Sequence, residues 1–318
     1  MHPAFSVIFL TTLIGVGQGL FLALFTVESY AAFGLLPAQP GRFYALGGAV
    51  ALGFLVAGLV ASFFHLGRPE RAWRSAAKWR TSWLSREVIV LPAFMGLVFL
   101  YCAAHFFGFN PVVATLPSAV PVGLTLLLGV AGTVLAFALF VCTGMIYACL
   151  RFLQEWHTPL TVINYTLLGG ASGFVLATAY AVEAAPELAA FLGGWSLILT
   201  VLALIGRAAA LVRNARLRPK SSLRTAIGVK HPRIVQKAQG AMGGSFNTRE
   251  FFHGRSAAFL RQVKWIFLIL AFILPIGLLA SGFAAAAFVT QYLGLLAERW
   301  FFFAQANHPQ NLYYQAVS

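Results

Sequence analysis

The chain has 318 residues, of which 60% are hydrophobic and only 9% charged, and its formal charge at pH 7 is +14. Soluble domains carry roughly a quarter charged residues and intersperse them, whereas here the apolar residues run in long blocks, which excludes a soluble fold. The basic excess comes without a recognised nucleic-acid-binding pattern, so nucleic acid is not an expected partner.

Apolar blocks long enough to cross a bilayer as helices cover 4–27, 43–64, 88–109, 120–150, 161–182 and 188–205. The first has no Lys or Arg ahead of it and is too long for a typical signal-peptide core, so it is expected to remain in the mature chain. A last stretch, 265–297, exceeds one untilted span and suffices for two short ones with Ser281 and Gly282 at the turn. The expected architecture is an all-α integral membrane protein, a bundle of about eight helices. It divides into 1–211 with six spans and a polar loop at 65–87, a basic loop at 212–264, and 265–318 with the last two spans and a tail.

Cys102, Cys142 and Cys149 lie inside apolar blocks without paired spacing, and read as small packing residues; no metal site is expected. Haem would need axial ligands facing each other within the bundle. His65 ends the second block, His105 the third at the opposite face, and the other His lie in loops or termini, so no haem is expected. Transporters show paired repeats and polar midplanes; here no repeat is evident, and the span centres offer little beyond Gln18, Thr143, Tyr147 and Gln291.

Every Lys and Arg except Arg42 falls after an even-numbered span, counting Arg299 in the C-terminal segment. By the positive-inside rule those loops and both termini face the cytoplasm. Topology accounts for the short loops. It does not account for 206–264, where thirteen basic residues meet one acidic residue, Glu250, and where "GAMGGSFNTREFFHGRS" inserts glycines and adjacent aromatics. A long loop of this kind reads as a docking surface for a cytoplasmic partner, with Arg216, Arg218 and Lys220 among its contacts; lipid binding is the other reading.

"FFHLGRPERAWRSAAKWRTSWLSREV", from Phe63 to Val88, packs six Lys or Arg, two Glu, one His and three Trp between two apolar spans. Gly67 and Pro69 stop the second helix just beyond His65, which places an imidazole at the edge of the hydrocarbon beside Arg68. From Pro69 on, Arg71, Arg74 and Lys78 share one face and Glu70 reaches Arg74 at i, i+4, as in a short helix on the membrane surface. Trp73, Trp79 and Trp83 anchor it at headgroup depth. Glu87 opens the third span, where an ionisable group is a functional candidate. The residues alone leave two readings open: a proton-accepting His65–Glu87 pair beside a lipid-soluble substrate, or an interfacial histidine with Glu87 paired structurally to Arg86 or Arg68.

"HLGRPERAW", "TSWLSRE" and, near the C terminus, "LLAERWFFFA" resemble the signature of the membrane anchor subunits of dimethyl sulfoxide reductase type molybdoenzymes. The resemblance extends over nearly the whole chain. It implies an eight-helix anchor in the bacterial inner membrane, without haem, that holds an iron–sulfur subunit and a molybdopterin catalytic subunit and exchanges electrons and protons with the quinone pool. Carried onto this sequence, it puts the quinone chemistry at His65 with Glu87 as auxiliary. Arg68, Trp83 and Arg299 are placed around the quinone, and Arg71, Arg74 and Lys78 join Arg216, Arg218 and Lys220 in docking. The long basic loop is similar to a branch that includes sulfite dehydrogenase anchors. The alternatives are a purely structural anchor or a small-molecule transporter.

Overall fold

A computed structural model describes residues 1–115, 121–218, 222–235 and 250–309. The protein is an all-α integral membrane protein. Its long helices are α1 (Phe5–Ala32), α2 (Gly41–Phe63), α3 (Trp83–Phe106), α4 (Leu124–Ala148), α5 (Pro159–Ala184) and α6 (Ala189–Ala215). After a short helix, α7 (Leu223–Ile227), come α8 (Ala257–Ala280) and α9 (Ala284–Ala304). Between α3 and α4 the chain forms an antiparallel ribbon, Val112–Thr115 with Pro121–Gly123, which hydropathy did not announce.

Among the described residues seven helices, α1 to α6 and α8, are long and apolar enough to cross a membrane. The stretch expected to give two short spans gives two full helices, because each extends past the apolar run into residues that stay helical. The turn falls at Ser281–Gly282, where Gly282 takes φ +82°, a conformation only glycine adopts without strain. From that turn α9 runs back along α8; its 21 residues rise about 30 Å, but with Gln291, Glu298 and Arg299 in it α9 is not among the helices apolar enough to cross, so the expected eighth span is not borne out by hydropathy.

Helices α1 and α5 form the centre. In their apolar windows 72% and 67% of residues are buried, against 28–33% in the other spanning helices, which turn one face outward as lipid-exposed helices do. The central pair meets through glycine. A methyl group on Gly19 would lie 2.2 Å from the Gly169 carbonyl oxygen, and one on Gly173 would lie 2.1 Å from the Gly19 backbone. Gly15 and Gly19 face Gly169 and Gly173, two small-residue pairs each spaced by four, which lets the backbones touch without side chains between them.

In α8 a π turn, Ile269–Ile273, precedes Pro275. Proline has no N–H to give the carbonyl four residues back, that of Ala271. Gln291 of α9 donates to it from Nε2 at 3.3 Å and also reaches Thr200 Oγ1 at 3.2 Å. A proline break inside the bundle is thus repaired by a neighbouring helix.

Both described ends lie on one face. The Met1 amine donates to the Ala306 carbonyl at 2.7 Å, and the His2 N–H to the Glu250 carbonyl at 2.8 Å. The same face holds the α2–α3 and α4–α5 connections and the described parts of the α6–α8 connection, as helix alternation requires, and therefore nearly all the basic residues among those described.

Two boundaries differ from the sequence reading. The basic loop was expected to begin at 206 or 212; α6 in fact continues to Ala215, taking Arg207 and Arg213 into the helix, and α8 begins at Ala257, taking in Arg261 and Lys264. The signal was available: the apolar run Ala208–Val212 follows Arg207 without a helix breaker. Second, Pro69–Lys78 is a 3-10 helix, so Glu70 meets Arg71 at 3.8 Å instead of Arg74. With three residues per turn, Arg74 stacks over Arg71 while Lys78 is rotated off that row.

Candidate quinone site and its buried charges

Helix α2 ends at Phe63, and His65 follows on two turn residues, exposed, with no hydrogen bond or ion pair from its imidazole among the described residues. Partial desolvation holds its pKa below the usual 6.5, so the ring is neutral at pH 7 and able to accept a proton. Arg68, Arg71, Arg74 and Lys78 are exposed, as are Trp73 and Trp79; each Trp lies under the guanidinium that follows it, Arg74 at 5.5 Å and Arg80 at 5.4 Å. The segment is a basic, aromatic surface at the membrane edge.

Helix α3 starts at Trp83 because the Ser82 hydroxyl accepts from the Ser85 N–H at 3.3 Å. Trp83 is half-buried beneath Arg86, whose guanidinium sits 4.1 Å from the ring centre and caps the Trp79 and Arg80 carbonyls at 2.9 Å each. Arg86 is therefore not the partner of Glu87. The next residue points the other way: Glu87 is 7% exposed and accepts a hydrogen bond from the Thr143 hydroxyl of α4. Neither structural ion pair considered from the sequence, with Arg86 or with Arg68, is formed.

Thr143 opens onto a narrow cleft among α1, α4, α5 and α9, lined by Thr11, Thr12, Gln18, Tyr165 and Arg299. The Arg299 guanidinium lies 3.7 Å from the centre of the Tyr165 ring, which stacks on Tyr147 at 5.6 Å. Trp156 stacks on Phe302 at 5.3 Å, its Nε1 donating to the Phe302 carbonyl at 2.9 Å. Of the five residues assigned to the quinone from sequence, Arg299 lines this cleft and Glu87 adjoins it through its hydrogen bond with Thr143. Trp83, half-buried at the start of α3, does not line it, and His65 and Arg68 lie exposed on the surface. No contact joins His65 to Glu87.

Sequence reasoning missed the partners of Arg299. Glu298, 1% exposed, pairs with Arg207 Nε at 2.7 Å and with Arg299 Nε at 3.8 Å. Arg207, 2% exposed, also lies over the Phe267 ring at 5.4 Å and the Phe301 ring at 5.8 Å. Arg299 was read as part of a C-terminal segment, but α9 runs to Ala304 and buries it. Adjacent Glu and Arg within "LLAERWFFFA" were the signal, since a charged pair followed by aromatic residues at a helix end marks an internal ion pair. At the opposite face Glu28 lies inside α1, where it accepts from Tyr101 Oη at 2.7 Å and lies 3.4 Å from His105 Nε2.

Among the docking residues, Arg216 and Arg218 are exposed just after α6, and Lys220 lies outside the described residues. Much of "GAMGGSFNTREFFHGRS" lies outside them too.

The family model for the DMSO reductase anchor subunit (DmsC) matches residues 1–297. A sulfite dehydrogenase subunit of Allochromatium vinosum is 60% identical to this chain over the full length of both. Together with eight long helices and a polar edge between α2 and α3, these likenesses place the chain in the family of DMSO reductase anchor subunits.

Proposed function

We propose that this anchor subunit passes electrons and protons between the quinone pool and the iron–sulfur subunit of a molybdopterin oxidoreductase of the dimethyl sulfoxide reductase or sulfite dehydrogenase type. The complex sits in the bacterial inner membrane with the soluble subunits on its cytoplasmic side. Glu87 carries the reading: a buried carboxylate at the membrane edge, held by the hydroxyl of Thr143, which lines a cleft that also takes in Arg299. Burial of an ionisable group at that depth is costly, which favours a role in proton exchange over one in packing. A quinone head needs a hydrogen-bond partner at each oxygen and a nearby proton acceptor. Arg299 supplies a donor, Glu87 supplies the acceptor, and neutral His65 stands at the mouth between the 3-10 segment and the lipid. Arg68 favours negative charge developing on the head by charge-assisted hydrogen bonding.

In this reading His65→Ala leaves the complex assembled and its turnover with soluble dyes intact, because dyes exchange electrons with the soluble subunits directly. Quinone-linked turnover falls by about a hundredfold or more. Glu87→Gln keeps the shape and a hydrogen bond to Thr143 but cannot carry a proton, and loses roughly tenfold. Wild-type quinone kinetics in both variants would reduce the subunit to a structural anchor.

A further inference from the structure

We propose that Arg207, Glu298, Arg299 and Tyr165 form a hydrated proton entry that joins the basic face of the protein to Glu87. The proposal rests on the quinone reading above and deepens it by naming how protons reach a buried carboxylate. A second narrow cavity, among α5, α6 and α9, is lined by Asn164, Tyr165, Arg207, Glu298, Arg299 and Gln305, with Glu155 and Asn214 half-buried at its outer lip. Tyr165 and Arg299 line both cavities. The inner one ends at Thr143, which holds Glu87. The line therefore runs from the outer lip to the carboxylate past Arg207, Glu298, Arg299, Tyr165 and Thr143, with Phe140, Leu168 and Leu295 as apolar walls of the inner cavity.

These groups also demand water. Among the described residues, Arg207 Nη2, Arg299 Nε, Glu298 Oε2, Asn164 Oδ1, Tyr165 Oη and Gln305 Nε2 are buried without a hydrogen-bond partner. Buried polar atoms are almost always satisfied, and six orphans around two adjoining cavities mark sites for water bridging donor to acceptor. The arginines stay protonated and act as fixed donors that orient the water. Glu298, the Tyr165 hydroxyl and the bridging waters are the acceptors along the line. With Glu87 ionised the set holds two cations and two carboxylates, so it is neutral and tolerable inside the bundle. Tyr147, stacked on Tyr165, and Glu155 at the lip are the other titratable groups facing it.

The chemistry balances simply. Each quinone reduced takes two electrons from the iron–sulfur partner and two protons, forming two O–H bonds; each quinol oxidised returns them. The entry supplies or removes the protons and carries no electron.

The test uses the whole complex in membranes, with dye-linked turnover counting the assembled enzyme. Glu298→Gln should lower kcat with a short-chain quinone about tenfold, leave KM unchanged and raise the solvent deuterium isotope effect, since proton delivery becomes limiting. Tyr165→Phe, which removes one hydroxyl, should lower kcat by a smaller factor with the same signature. Where Glu298→Gln fails to assemble because Arg207 is left unpaired, the Arg207→Gln, Glu298→Gln double variant removes both charges and Tyr165→Phe stands independently. Unchanged kcat and isotope effect in the variants overturn the proposal, as does a loss confined to KM. If the wild-type complex shows no quinone-linked turnover, or keeps it fully in His65→Ala and Glu87→Gln, the quinone reading itself fails. Loss in those two variants with normal Glu298 and Tyr165 variants refutes the entry alone.

Discussion

Glu28 and Glu298 answer the same problem, a carboxylate within a membrane bundle, with different partners. Glu298 is matched by two guanidiniums. Glu28 is held by Tyr101 Oη at 2.7 Å and faces His105, whose ring packs against Tyr44 at 4.6 Å and Tyr101 at 4.5 Å. The Tyr101 hydroxyl makes the shorter of the two contacts, so its removal isolates one charge-assisted bond. Tyr101→Phe keeps the edge contact with Phe21, 5.4 Å between ring centres, and loses only the oxygen. It should destabilise the protein by about 1.5–3 kcal/mol, read as a lower melting temperature of the detergent-solubilised protein. An unchanged melting temperature would mean that water already serves Glu28 and that the tyrosine is there for packing.

Helix packing shows what a hydropathy pattern can and cannot carry. The seven apolar spans and the turn at Ser281–Gly282 follow from block length and from a glycine that breaks the helix. The winding of Pro69–Lys78 and the end of α6 do not, because a short amphipathic run is compatible with either a 3-10 segment or an α-helix, and because Arg207 inside a helix needs a partner, Glu298, that is remote in sequence. The central contact of α1 with α5 was equally hidden, since glycines spaced by four identify a close crossing only once the partner helix is known. Gly173→Ala puts a methyl group 2.1 Å from the Gly19 backbone, where no side chain can yield. The helices must separate, at a cost of about 1–3 kcal/mol, and less folded protein should be recovered in membranes. Gly53→Ala, where a methyl group meets nothing, is the matched control and should be recovered at the wild-type level.

At the scale of the whole molecule the charge is sorted by face, and the candidate site was legible only in part. Glu87 and Arg299 stood out in the sequence as charges beside apolar blocks. Thr143, Tyr165 and Glu298 did not stand out as a site, because a hydroxyl or a paired carboxylate acquires meaning from what packs on it. The face that gathers both described ends also carries the exposed Arg71, Arg74, Lys78, Arg216 and Arg218, and a field of one sign orients an acidic partner more than it adds affinity. Under the proposed topology a reporter fused within 222–235 is active on the cytoplasmic side; activity on the opposite side would move the partners with it. Reversing Arg216, Arg218 and Lys220 together to Glu should then release the iron–sulfur and catalytic subunits into the soluble fraction, more completely at higher salt because the remaining attractions are screened. Full retention on the membrane at every salt concentration would assign these cations to anionic lipid, and would leave Arg71 and Arg74 on the 3-10 segment, nearest the proposed quinone mouth, as the docking surface to test.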